Sequence, residues 1–161
     1  MSFKIALISD THLSREKPFF VENFLVVAEH LRQSRPDLVI NTGDVSLNGA
    51  DSAADLEAAR QFHEALELPW LAIPGNHDVG DNQEVARKQP ANAARRERWL
   101  GIFGQDWWMR DVPGWRLLGI NSLLLGSDLP EAADQERFVA EAVNGIDGRQ
   151  LALFLHKPLF H

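Results

Sequence analysis

The chain has 161 residues, 45% of them apolar and 24% charged, a formal net charge of −7 and no cysteine. This is the composition of a globular protein with a real core, not of a disordered or fibrous chain. The acidic balance gives no footprint for a nucleic acid polymer. The missing thiols exclude disulfides, thiolate metal ligands and cysteine nucleophiles.

Residues 3–9, "FKIALIS", read as a short buried strand. The segment lacks the length and small-residue cleavage site of a signal peptide, and nothing downstream approaches the roughly 18 apolar residues of a membrane span. The expectation is a cytoplasmic protein with no membrane partner, folded as a single domain over residues 1–161. Residues 18–34 carry Phe20, Phe24, Val27 and Leu31 near helical spacing. Arg35-Pro36 ends that helix, because the residue before a proline avoids the helical region. "DLVINTGD" is a second strand, and a helix from Asp51 to about Leu66 follows, with Ala54, Leu56, Ala59, Phe62 and Leu66 on its apolar side. "PWLAIPG" is a third strand, closed by Pro74-Gly75.

Residues 81–108 are polar and read as a loop, then a helix from about Pro90 to Phe103. "GWRLLGINSLLL" reads as a fourth strand with a tail. "LPEAADQERFVAEAVNG" is a helix stopped near Gly145. "GRQLALFLHKPLF" is a fifth strand that ends at His156. The alternation predicts an α/β fold with at least partly parallel strands. The nearly continuous apolar strands predict sheets covered on both faces.

Four strands end on residues able to bind a metal: Asp10-Thr11-His12, Gly43-Asp44, Asn76-His77-Asp78 and His156-Lys157-Pro158. In open α/β sheets the binding crevice lies outside the carboxyl ends of the strands. Asp10, His12, Asp44, Asn76 and His156 offer oxygen and imidazole nitrogen, a donor set that suits Mn, Fe or Zn. In an extended stretch, Asp10 and His12 would point the same way. Each motif also has a plainer reading. Asp10-X-His12 fits a capped turn, Asn76-His77-Asp78 fits turn chemistry, and His156 fits a strand-end histidine with one hydrogen bond. What favours a shared site is the joint agreement of strand-end placement and donor type. His30 and His63 read as surface helical residues and His161 as a non-ligand. Arg95, Arg96 and Arg98, with Trp107 and Trp108 nearby, read as an amphipathic helix with a solvated basic face, in preference to a cover over the site.

The motifs "DTH", "GD", "GNHD" and "HKP", in this order, resemble the calcineurin-like metallophosphoesterase superfamily, and most closely its class III cyclic-nucleotide phosphodiesterase-like members. The resemblance implies a metallophosphoesterase-type α/β/β/α sandwich with two divalent metal ions. It implies that Asp10 and His12 bind one ion, that Asn76 and His156 bind the other, and that Asp44 bridges both. His77 would be the catalytic general acid or phosphate contact, and Asp78 a local hydrogen-bonding partner. The implied reaction is hydrolysis of a small phosphoester substrate, a phosphodiester such as a cyclic nucleotide, by a metal-bridging hydroxide. A phosphomonoesterase and a non-catalytic scaffold are the alternatives.

Two departures from the family pattern stand out. No Gly-His-X-His motif follows His156, so the C-terminal strands of the second sheet are expected to be missing and a homodimer is one way to cover the apolar surface left bare. The position three residues after Asp44, often an acid that orients the catalytic histidine, is Leu47, with Asn48 and Asp51 as nearby substitutes.

Overall fold

A parallel register sets the first sheet. β1 (Ile5–Ile8) pairs with β2 (Leu38–Asn41), and β2 with β3 (Trp70–Ala72), so that Ile8 lies beside Asn41 and Asn41 beside Ala72. The three strands therefore end at one level, and the chain leaving each emerges on the same edge. The structure, a computed structural model, describes residues 2–82 and 88–158. His161 and residues 159–160, at the end of the stretch quoted for the fifth strand, lie outside the described residues, as does the middle of the predicted loop.

The second sheet has the order β4-β5-β6. β4 (Trp108–Val112) and β5 (Trp115–Gly119) form an antiparallel hairpin across Pro113-Gly114, and β6 (Gln150–Phe154) lies parallel to β5. β4 was not anticipated from the sequence, because Arg110 and Asp111 interrupt its apolar content. As an outer strand, paired on one side among the described residues, it leaves both of these exposed. The tail of the predicted fourth strand, beyond Gly119, is a turn.

Alternate residues of β2 face opposite layers. Val39 packs with Phe24, Ala28 and Leu31 of α1 (Val21–Ser34), Leu56 and Ala59 of α2 (Ala53–Glu64), and a short helix, α3 (Asn76–Val79), adds Val79. Trp99 of α4 (Ala93–Phe103) completes this layer. Leu38 and Ile40 instead meet Leu117 of β5, with Trp108, Ala152 and Phe154 around them. On the far side of the second sheet, Leu118 packs with Phe138, Val139 and Ala142 of α5 (Glu131–Asn144). The result is the expected α/β/β/α sandwich, with a two-sided β2 at its centre. Trp108 Nε1 also donates to the Ala72 carbonyl (2.9 Å), joining the sheets. Apolar surface stands open at the outer strands, where Leu7 is 59% exposed and Leu153 40%. No helix among the described residues is long and apolar enough to cross a membrane.

Two expectations about polar residues are corrected. The basic residues of α4 are not a solvated face. Arg96 is buried in a bidentate pair with Asp106 (2.7 and 3.0 Å), lies 3.2 Å from Glu131 and covers the Trp107 ring. Arg95 donates to Asp51 (2.8 Å) and the Ala50 carbonyl (3.1 Å), and Arg98 also donates to Ala50. They hold α4 against residues 50–51.

His63 is not on the surface either. It is fully buried between the Phe24 and Trp70 rings, its Nδ1 2.8 Å from the Ala59 carbonyl and its Nε2 2.9 Å from Asn41 Nδ2. The helical stripe on Ala59, Phe62 and Leu66 extends across position 63 as well, and the neighbouring Glu64 does not carry it outward.

Desolvation lowers the His63 pKa from 6.5 to about 4. The unfolded chain therefore takes up the proton first as pH falls. The His63 contribution is intact above pH 6.5 and is lost as pH falls toward 4. Over that window the wild type loses about 3 kcal/mol of unfolding free energy relative to a His63→Leu variant, read by urea denaturation at each pH. Equal slopes would refute neutral burial. Asp106→Ala leaves the Arg96 charge without its main partner and costs roughly 3 kcal/mol in the same measurement.

Candidate metal centre

Loops from the ends of β1, β2, β3 and β6 meet at one place, across the edges of both sheets. The first three segments are stitched by backbone bonds. Asp10 N donates to the Gly43 carbonyl and His12 N to the Asp44 carbonyl, each at 3.0 Å. The stretch is not extended, contrary to expectation: Asp10 has φ 54° and His12 φ 43°, and Asp44 across from them has φ 50°. Left-handed backbone is uncommon for residues other than glycine, though Asp and His tolerate it better than most. Such strain persists only where surroundings over-determine it, as at binding sites.

Two glycines allow the close approach. A Cβ on Gly43, itself at φ 111°, would stand 2.7 Å from Nδ1 of His156, and one on Gly75 would collide with the Asp44 carboxylate and backbone nitrogen. The third segment is then locked by Asp78. Its buried carboxylate accepts from Gly75 N (2.8 Å), Val45 N (3.1 Å), Ser46 N (2.9 Å) and Ser46 Oγ (2.6 Å). Asp78 is thus more than a local partner, because three of these donors lie more than 30 residues away. Burial raises its pKa to about 6, against the pull of these donors toward the ionised form.

Asp44 is the shared member of two clusters. With His12 and His77, and again with Asp10 and His156, its donor atoms fall within 4.8 Å of those of its partners. His12 Nε2 lies 3.8 Å from Asp44 Oδ2 and 3.9 Å from Asp10 Oδ1. His156 donates from Nδ1 to the Thr42 carbonyl (3.1 Å), since a carbonyl only accepts. That turns Nε2 toward the site, 3.2 Å from Asn76 Oδ1 and 3.4 Å from Asp44 Oδ1. Two oxygen acceptors facing one imidazole nitrogen form a donor set suited to a cation. An imidazole tethered through its other nitrogen to a carbonyl is also the usual support of a metal-bound histidine. The residues therefore fit divalent ions. All five sequence-predicted ligands meet here, although Asp10 clusters with His156 as well as with His12. The Nδ1 of His12 is buried without a hydrogen-bond partner among the described residues.

His77 is oriented by a backbone atom. Its Nδ1 lies 2.7 Å from the Leu47 carbonyl, and its own N–H donates to Asp44 Oδ1 at 2.8 Å. Leu47 therefore supplies an acceptor even though its side chain cannot. Neither of the expected substitutes makes a described bond to His77. Asp51 is engaged by Arg95 and Gln89, and hydrogen bonding from Arg95 holds its pKa below the ordinary carboxylate value. Asn48 accepts from Gln89. Sequence reasoning missed the roles of Asn41, Ser46 and the Leu47 carbonyl. Asn41, an amide in an otherwise apolar run, carried a signal, but a main-chain acceptor carries none.

The comparisons with known proteins agree with this geometry. A family model described as calcineurin-like phosphoesterase matches residues 3–153. A curated protein of Synechococcus sp. named "Probable cyclic nucleotide phosphodiesterase" is 31% identical over 132 residues, covering 76% of this chain and 45% of its own length. A "Probable glycerophosphodiester phosphodiesterase" of Arcobacter nitrofigilis is 23% identical over 164 residues, covering 96% and 56%. The chain thus spans about half the length of these relatives. Among solved structures, a yellow lupin purple acid phosphatase superposes with a TM-score of 0.66 at 14% identity, over 98% of this chain and 31% of that one. A Danio rerio dimetal phosphatase does so with 0.51 at 12%, over 89% and 53%. These likenesses show the fold, and the family match, which runs through nearly the whole sandwich, places the chain in the calcineurin-like phosphoesterase family.

Proposed function

We propose that the protein hydrolyses a small phosphodiester, a cyclic nucleotide being the leading candidate, with two divalent ions held at the rim. The single observation that carries this reading is that the two Asp44 oxygens face two donor sets, Oδ2 toward His12 (3.8 Å), which also neighbours Asp10, and Oδ1 toward His156 (3.4 Å), which also neighbours Asn76. The phosphodiesterase names of two relatives support the diester over the monoester.

In this reading Asp10, His12, Asn76 and His156 would hold the ions together with Asp44. Bound there, two divalent ions supply Lewis acidity toward the phosphoryl oxygens and an activated water as nucleophile. The chain's own residues set the rest. Asp44 receives the backbone N–H of His77, so the same carboxylate fixes where the His77 ring begins. The Leu47 carbonyl keeps a proton on His77 Nδ1. Nε2 is then the nitrogen free to carry a second proton, and a departing alkoxide is the group that would take it. Lys157, bonded to Asp81 at 3.0 Å and held through its backbone N–H by Ser122 Oγ at 2.9 Å, keeps the His156 segment in place.

The test assays full-length protein with Mn²⁺ on bis-p-nitrophenyl phosphate and p-nitrophenyl phosphate. The diester is expected to turn over faster. His77→Ala should lower kcat by about 10²–10⁴-fold with metal content unchanged, whereas Asp44→Ala should lose the metal. Preference for the monoester would select a phosphomonoesterase. Absence of both metal and hydrolysis would select the scaffold reading.

A further inference from the structure

Asn41 is the last residue of β2, buried in a strand otherwise made of Leu, Val and Ile. An amide in such a place must have its polar atoms satisfied. Its Nδ2 reaches Nε2 of His63 (2.9 Å) and Oγ1 of Thr11 (3.3 Å), and its Oδ1 accepts from Gly43 N (3.1 Å). Thr11 stands between Asp10 and His12, and its hydroxyl donates onward to the Val45 carbonyl (3.1 Å). Gly43 immediately precedes Asp44. One amide thus touches both segments that carry the proposed ligands Asp10, His12 and Asp44.

The direction of this chain of bonds is set alike at both ends: the Gly43 N–H only donates and takes the Asn41 oxygen, and His63 must match at the other end. The Ala59 carbonyl beside His63 Nδ1 only accepts, so Nδ1 carries the proton and Nε2 of the neutral ring accepts. Asn41 must then offer its NH₂ to His63, which leaves its oxygen for Gly43. Turned over, the amide would set NH₂ against the Gly43 N–H, two donors face to face, and its oxygen against the His63 lone pair. A hydrophobic residue at position 63 would leave the amide to Gly43 and Thr11 and strip it of its described partner on the helical side.

We infer that His63 is a positioning residue for the metal rim: from within the helical layer it fixes the Asn41 amide, and through that amide the backbone of Gly43 and the Thr11 hydroxyl. Its consequence for metal binding rests on the reading of the site given above, while its consequence for Gly43 does not.

The test compares wild type, His63→Leu, His63→Gln, Asn41→Leu and the double Leu variant in the full-length, metal-free protein. Amide hydrogen exchange at Gly43 is read by NMR, and Mn²⁺ affinity by calorimetry. His63→Leu should speed Gly43 exchange by about tenfold or more and weaken Mn²⁺ binding by about 10–100-fold. His63→Gln, which keeps an acceptor for Asn41, should recover much of both. The double variant and Asn41→Leu lose the same acceptor of the Gly43 N–H, so a difference between them reads the change at position 63 alone. The double variant should be no worse than Asn41→Leu alone, because the two residues act as one unit. This comparison keeps the test open should His63→Leu fail to fold. Unchanged Gly43 exchange in His63→Leu, or effects that add in the double variant, would overturn the inference. A wild type that binds no Mn²⁺ would instead defeat the metal reading, with Gly43 exchange still deciding the positioning role.

Discussion

The rim is held together by one buried carboxylate. Asp78 accepts from the backbone at Gly75, Val45 and Ser46 and from the Ser46 hydroxyl. Loops at the ends of strands leave backbone donors that no ladder satisfies, and buried donors must find partners. By collecting those of two loops on one side chain, Asp78 brings the chain after β3 against the chain after β2. Asp44 and Asn76 are thereby neighbours although 32 residues separate them. The carboxylate loses water in the process, and its raised pKa records that cost.

Close approach explains why the motif residues are spaced as they are. Gly75 leaves room for Asp44, and Gly43 leaves room for the His156 ring. Asp10, His12 and Asp44 all stand in left-handed backbone. These conformations are unfavourable singly, and the cross-loop bonds from Asp10 N and His12 N maintain them. In the proposed reading, loops already held by these bonds lower the ordering cost of binding an ion. Beneath the rim, the Asn41–His63 contact continues the hydrogen-bonded chain into the helical layer.

Much of this was legible in the residues. The apolar runs at residues 5–8, 38–41 and 150–154 gave strands, and the convergence of their C-terminal ends followed from the parallel order. The five residues singled out at the strand ends lie together. What escaped notice has physical causes. β4 is an outer strand whose exposed Arg110 and Asp111 imitate a loop. His63 looks amphipathic beside Glu64, and only the packing of Phe24 and Trp70 shows it inside. The arginines of α4 find carbonyl and carboxylate partners that are distant in sequence, which spacing does not reveal. The support of His77 comes from a carbonyl, and main-chain atoms are the same at every position.

The central claim is that Asp44 stands between two ions. Anomalous diffraction from crystals of the full-length protein grown with Mn²⁺ tests it most directly. The account predicts two peaks about 3.5–4 Å apart, with the Asp44 carboxylate between them and His156 and His12 on opposite sides. A single peak, or a pair with Asp44 bound to neither ion or only one, would contradict it.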